Sequence, residues 1–259
     1  MPESLLFERA GSIATLTLNR PDMGNALDIP LARALLEAAI TCDQDDSIRC
    51  VVLTGAGRMF CAGGDVAAFG AAGDALPAFL KEITAYVHAA LARFAHMNKP
   101  LLTAINGPAA GVGLSLALLG DIAMATRSAH FTVAYTALGL SPDGGLTWLL
   151  PRLVGLRKAQ ELTLLNTRVA AEEAVSAGLI TCAVEDAAFK AEMQSTAERL
   201  ANAATPAIGK VRNLLLDSFG ASLEAQMDAE ARAIADLSRT AQGREGVAAV
   251  IAKRKPQFK

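Results

Sequence analysis

Between Pro100 and Gly120 the chain carries no charged residue, and a run of that kind must either cross a membrane or lie in the middle of a folded core. Asn106, Pro108 and the glycines Gly107, Gly111 and Gly113 interrupt it, and an interrupted backbone exposes polar groups that hydrocarbon cannot satisfy. The run therefore reads as a buried strand (PLLTAIN), a glycine-rich loop and a helix apolar on every side. Gly120-Asp121 ends that helix before a further strand at Ile122–Ala125. No membrane span is expected.

Similar elements surround this core. Leu5–Arg9 and Ile13–Leu18 bracket a Gly-Ser turn and read as a hairpin. Pro30 to Thr41 has helical spacing, and Arg49–Thr54 (RCVVLT) is the β-branched run of a buried strand. FCAGGDVAAF follows, then a helix over about Leu76 to His96. From about Gly145 the chain reads as helical: Thr147–Leu153, Arg157–Leu165, Ala170–Ala177, Ala187–Ala203, Pro206–Phe219 and Leu223–Leu237, with only Ile180–Val184 extended. The expectation is an α/β fold, with recurring right-handed strand–helix units over residues 1–200 and a helical lobe over 201–259.

Composition removes some function classes. A hydrophobic fraction of 52% with 19% charged residues describes an apolar-rich globular protein, of the kind that forms oligomer interfaces. A net charge of −2 gives no general attraction to nucleic acid or acidic membranes. Cys42, Cys50, Cys61 and Cys182 form no C-x-x-C pair, so reduced thiols in a cytoplasmic setting are expected. His88, His96 and His130 lie in no metal-ligand spacing, and no metal site is expected. MPESLLFERA lacks a basic segment followed by an apolar one, so no secretory signal is expected.

Two glycine-rich turns, Phe60–Asp65 and Gly107–Gly113, each bring unpaired amides to the start of a helix. Facing one cleft, they would supply paired donors for a developing oxyanion; singly, each is also explained by close packing of helix on strand. Neither carries G-x-G-x-x-G or G-K-[ST], and no G-x-S-x-G elbow is present, which weighs against nucleotide and serine-hydrolase chemistry. In SPDGG, Asp143 reads either as a turn residue or as a working carboxylate.

NRPDMGNAL, FCAGGD, KPLLTAINGPAAGVG, Gly120-Asp121, LGLSPDGGLTWLLPRLVG, AVSAGLI and KRKPQF occur in that order, and with them the chain resembles the crotonase (enoyl-CoA hydratase/isomerase) superfamily along nearly its whole length. The resemblance implies a crotonase-like spiral of ββα units with a helical C-terminal trimerisation lobe. It also implies a homotrimer or dimer of trimers and an acyl-CoA thioester as substrate, coenzyme A being part of that substrate rather than a cofactor. Matched residue by residue, the Ala62 and Val112 amides would hold the thioester oxygen. Backbone at Ala26, Leu27, Gly63, Gly64, Asp65 and Val66 would grip the coenzyme A moiety, with Gly111 beside the acyl group.

The positions at which hydratase members carry two glutamates hold Ser115 and Tyr135. Hydroxyls stay protonated at neutral pH, so two-glutamate hydration is not expected, and these residues either line the acyl pocket or fill space. Asp143 matches the carboxylate that moves a proton in resembling isomerases, above all the subgroup acting on unsaturated or ring-epoxide thioesters in aromatic-acid breakdown. Trp148 would wall off an aromatic acyl group or sit in the core. Lys253, Arg254, Lys255 and Lys259, with Phe258, would reach a neighbouring subunit's ligand or form a solvated tail. An acyl-CoA isomerase is the leading expectation; a hydratase or a hydrolase/dehalogenase-type enzyme is the second, and a non-catalytic acyl-CoA-binding or RNA-binding scaffold the third.

Overall fold

Leu5 faces Leu18 and Ala10 faces Ile13 across an antiparallel pair, β1 (Leu5–Ala10) and β2 (Ile13–Leu18). The tight turn between them places Gly11 at φ 59°, the left-handed conformation that such hairpins need. The structure, a computed structural model, describes residues 3–258. After β2 come α1 (Ile29–Gln44), β3 (Cys50–Gly55), α2 (Val66–Ala72), α3 (Leu76–His96), β4 (Leu101–Ile105), β5 (Ala109–Ala110), α4 (Val112–Leu118), β6 (Ile122–Thr126) and β7 (His130–Thr132). The rest is α5 (Leu146–Leu165), β8 (Val169–Ala170), α6 (Ala171–Ser176), β9 (Cys182–Val184), α7 (Phe189–Ala201), α8 (Thr205–Asp217), α9 (Leu223–Ser238) and α10 (Ala241–Ile251).

The main sheet has six strands in the order β1-β2-β3-β4-β6-β9, parallel apart from β1. Buried on both faces, its strands sort their side chains by parity. Val51, Leu53, Leu101 and Ile105 join the large core shared with α1, α3 and α4. Cys50, Val52, Leu102 and Ala104 turn the other way, onto Phe189, Ala197 and Ala201 of α7. Every residue of α4 is buried, as its uniformly apolar sequence requires, and Thr103 Oγ1 in β4 ties it down by donating to the Ala117 carbonyl at 2.7 Å. Among the described residues no helix is long and apolar enough to cross a membrane.

A second sheet, β5-β7-β8, was not foreseen. Its strands span two or three residues and exist only because tertiary packing brings them side by side. The expected break between residues 153 and 157 is a kink inside α5, where Gly155 has φ 77° and ψ 155°. Helix α10 was also missed, although Thr240 caps it through a 2.9 Å bond from the Gly243 amide.

Asp121 joins three elements. One carboxylate oxygen accepts the Leu101 amide at 2.7 Å, and the other accepts Arg212 Nε of α8 at 2.6 Å. The buried Arg212 guanidinium also donates to the carbonyls of Phe94, Met97 and Lys99. Arg212→Met leaves those acceptors desolvated and unpaired, so unfolding in urea is expected to show a loss of about 3–5 kcal/mol. A loss below about 1 kcal/mol, the level of ordinary surface substitutions, contradicts this anchoring role.

Candidate active site

The two glycine-rich turns lie against each other. The Phe60 and Cys61 amides donate to the Pro108 carbonyl at 3.1 and 3.3 Å, and the Ala110 amide donates to the Cys61 carbonyl at 2.9 Å. Backbones approach so closely that a Cβ added at Gly113 would stand 2.4 Å from the Cys61 oxygen. Gly63, at φ 109°, faces Ala110 and Gly111 in the same way. Close packing and a shared cleft, alternatives when either turn is read alone, therefore coexist here.

Which amides face that cleft follows from strand alternation. The Leu27 amide donates to the Gly63 carbonyl at 2.8 Å, and the Asp65 amide donates to the Leu27 carbonyl at 2.9 Å. In extended backbone successive N–H groups point opposite ways, so the Gly64 amide between them points away from Leu27. It has no acceptor among the described residues. The Ala62 amide, expected to hold an anionic oxygen, instead donates to the Gly24 carbonyl at 2.8 Å. The expectation is corrected: Gly64, two residues on, carries the open donor. From the second turn the Val112 amide, first in α4, likewise has no acceptor among the described residues.

Both residues line a cavity of about 300 Å³. One wall is a stripe of α3, Leu80, Ile83, Thr84 and Val87, at the spacing that places side chains on one helical face. Leu27, Ala62, Gly63, Val66, Gly111, Tyr135 and Asp143, all predicted, line it too, with Phe69, Leu138 and Leu140 adding apolar surface. Among the lining residues Asp143 is the sole carboxylate and Lys81 the sole cation.

Other predicted residues lie elsewhere. Ser115 is buried behind the wall. Ala26 and Asp65 brace the loops: Arg20 donates to the Ala26 carbonyl and pairs with Asp65 at 3.0 Å and Asp28 at 3.1 Å. Asn25, fully buried at φ 57°, donates to the Ala56 and Met59 carbonyls and accepts the Arg20 amide. These two braces were missed, although the polar residues of NRPDMGNAL were visible. Trp148 is neither a pocket wall nor core: it is 42% exposed, with Arg152 stacked 4.2 Å from its ring and Phe219 edge-on at 5.3 Å. Lys255 and Phe258 do not line the cavity of their own chain; Lys255 is exposed and Phe258 sits beside Gly246 of α10. Arg254 is taken by Glu245 at 2.6 Å, and Lys259 lies outside the described residues.

Asp143 closes a turn with its backbone and lines the cavity with its side chain. Its carbonyl accepts the Leu146 amide at 3.1 Å, closing a turn centred on Gly144 and Gly145 at φ 60° and 75°. The turn lies one residue later than Pro-Asp-Gly suggests, so its bonds use the Asp143 backbone and leave the carboxylate for the cavity. Ser115 Oγ donates to the same carbonyl at 3.1 Å, and the Tyr135 hydroxyl donates to Asp143 Oδ1. The Gly144 amide donates to His88 Nε2 at 3.0 Å, which places that ring's proton on Nδ1. Nothing in the sequence around His88 signals this contact.

Burial, reinforced by the Asp143 charge and hydrogen bond, raises the Tyr135 phenol well above its ordinary range. It remains a donor at any working pH and cannot serve as a base. Burial likewise pushes the Cys61 thiol up to about 12, so this cysteine is packing material rather than a nucleophile.

A family model described as enoyl-CoA hydratase/isomerase matches residues 8–259. The 1,2-epoxyphenylacetyl-CoA isomerase of Escherichia coli is 39% identical over 260 residues, covering 100% of this chain and 99% of that protein. A 4-chlorobenzoyl coenzyme A dehalogenase of an Arthrobacter species is 36% identical over 220 residues, covering 84% and 79% of the two chains. The crystal structure of an enoyl-CoA hydratase from Polaromonas superposes with a TM-score of 0.94 at 30% identity, over 98% of this chain and 99% of that one. Relatives named for three different activities thus resemble this chain along most of its length.

Proposed function

The chain belongs to the enoyl-CoA hydratase/isomerase family, the crotonase superfamily of acyl-CoA-processing enzymes, and from that premise we propose that it is an acyl-CoA isomerase with Asp143 as its proton shuttle. One observation carries the reading. A single carboxylate shares an apolar cavity with two open backbone amides, those of Gly64 and Val112, from separate turns.

In this mechanism the thioester oxygen of an enoyl-CoA lies between the two amides. The Asp143 carboxylate takes a proton from a carbon of the acyl chain, and the C–H electron pair spreads into a dienolate whose charge rests on the thioester oxygen. The carboxyl then returns the same proton to another carbon of the dienolate. The double bond moves, and no atom of water enters. Ring-epoxide thioesters form the second substrate class, in keeping with the similarity to the Escherichia coli isomerase. Hydration by a pair of carboxylates is disfavoured because Asp143 has no acidic neighbour in the lining; the Tyr135 hydroxyl donates to its carboxylate and the Ser115 hydroxyl to its backbone carbonyl.

The apolar side chains exposed on α8, α9 and α10, among them Leu215, Leu223, Ile234 and Val250, suit burial in a homotrimer or dimer of trimers. In such an assembly Lys255 and Phe258 would meet a neighbouring subunit's ligand.

The decisive experiment offers the enzyme a panel of unsaturated and ring-epoxide acyl-CoA thioesters in heavy-oxygen water, with products followed by mass spectrometry and NMR. Double-bond or ring isomers without the heavy label are expected. Labelled product would instead identify a hydratase or hydrolase, and a panel that binds without conversion would identify a scaffold.

A further inference from the structure

Tyr135 follows directly on a backbone conformation, at Ala134, that sequence preference alone does not favour. Its amide donates to the Val133 carbonyl at 3.0 Å, closing a three-residue turn with Ala134 at φ 66°. Turns of this hand are rare and strained for a residue with a side chain, and they persist only where surrounding contacts hold them. Those contacts are visible: the Tyr135 carbonyl accepts the Leu138 amide at 2.9 Å and the Leu140 amide at 3.1 Å. The segment is thus fixed on both sides of Tyr135, and its hydroxyl meets Asp143 Oδ1 across the cavity wall.

We infer that Tyr135 is a positioning residue, whose hydroxyl clamps one oxygen of Asp143 so that only Oδ2 is presented to the acyl chain. This rests on the isomerase reading. The backbone of Asp143 is held by Ser115 and Leu146, and the next amide by His88, but none of these contacts restrains rotation of the carboxylate itself. The Tyr135 bond does. Oδ2 has no protein partner among the described residues, which leaves it as the oxygen that takes the substrate proton and returns it. Proton transfer needs donor carbon and acceptor oxygen at near-contact distance and aligned, so a freely turning carboxylate would spend much of its time unproductive. The phenol suits this work because its raised pKa keeps it a donor throughout.

A structural alternative is that a half-buried tyrosine hydroxyl simply finds a partner. Turnover of β,γ-unsaturated hexenoyl-CoA by Tyr135→Phe, Asp143→Asn and the double variant separates the two. Phenylalanine keeps the ring, so the fold and thioester binding should stay intact by thermal melt and titration calorimetry. The expected result is a fall in kcat of about 10- to 100-fold with KM nearly unchanged, and no further loss when Tyr135→Phe is added to Asp143→Asn. Tyr135→Phe with full turnover beside an inactive Asp143→Asn would overturn the clamp alone. A Tyr135→Phe loss that persists undiminished in the Asp143→Asn background would do the same. Full turnover by Asp143→Asn would remove the isomerase reading beneath it.

Discussion

Asp143→Asn is expected to bind acyl-CoA thioesters as the wild type does and to lose turnover by roughly three orders of magnitude, near the middle of the range that general acid–base groups supply. Nothing in the geometry predicts a folding defect. The turn at residues 143–146 is closed by the Asp143 carbonyl, and Ser115 holds the same carbonyl, so both bonds survive a side-chain change. Asparagine is the same size and its amide oxygen can still accept the Tyr135 hydroxyl. What it cannot do is take up a proton at neutral pH. Binding measured by calorimetry and turnover measured by loss of the substrate double bond should therefore separate cleanly. Rates within about tenfold of wild type would show that the proton moves by another route.

That outcome bears on how far the sequence alone could reach. The elements β1 to β4, α1, α3, α4 and β6 were legible because each is a long or continuous apolar pattern, and such patterns follow burial directly. Strands β5, β7 and β8 were not, since two or three residues carry no period. In the site, the difference between Ala62 and Gly64 is one of tertiary hydrogen-bond partners, not of residue type or strand parity. Both lie in FCAGGD, and only the partners Gly24 and Leu27 decide which amides are consumed and which stays open. Tyr135 and Asp143 meet across a three-residue helical turn and the loop that follows it, a contact that no local spacing announces. Trp148 was the more avoidable miss. Arg152 stands four residues on, on the same face of α5, and an arginine at that spacing signals a stacked surface pair better than a pocket wall.

The open amide of Val112 can be removed almost in isolation, and Val112→Pro is the second large prediction. Val112 is the first residue of α4, the position where proline's fixed φ and missing N–H are best tolerated. A proline there constrains the residue before it, but Gly111, at φ 55° and ψ −132°, has no Cβ to clash with the ring. The helix should form, and the melting temperature should change little. The donor is lost, and the ring Cδ takes the place of the amide hydrogen. The dienolate oxygen carries more charge than the ground-state thioester carbonyl, so the missing bond should weaken the transition state far more than substrate binding. Removal of one such donor typically costs about 3–4 kcal/mol of barrier, so kcat should fall by roughly 100- to 1,000-fold while the thioester dissociation constant moves only a few-fold. Deletion of a packing amide would show the reverse pattern: lower stability with catalysis kept. Val112→Pro that folds and turns over at the wild-type rate would leave Gly64 as the sole donor and would be incompatible with a charge shared between the two turns.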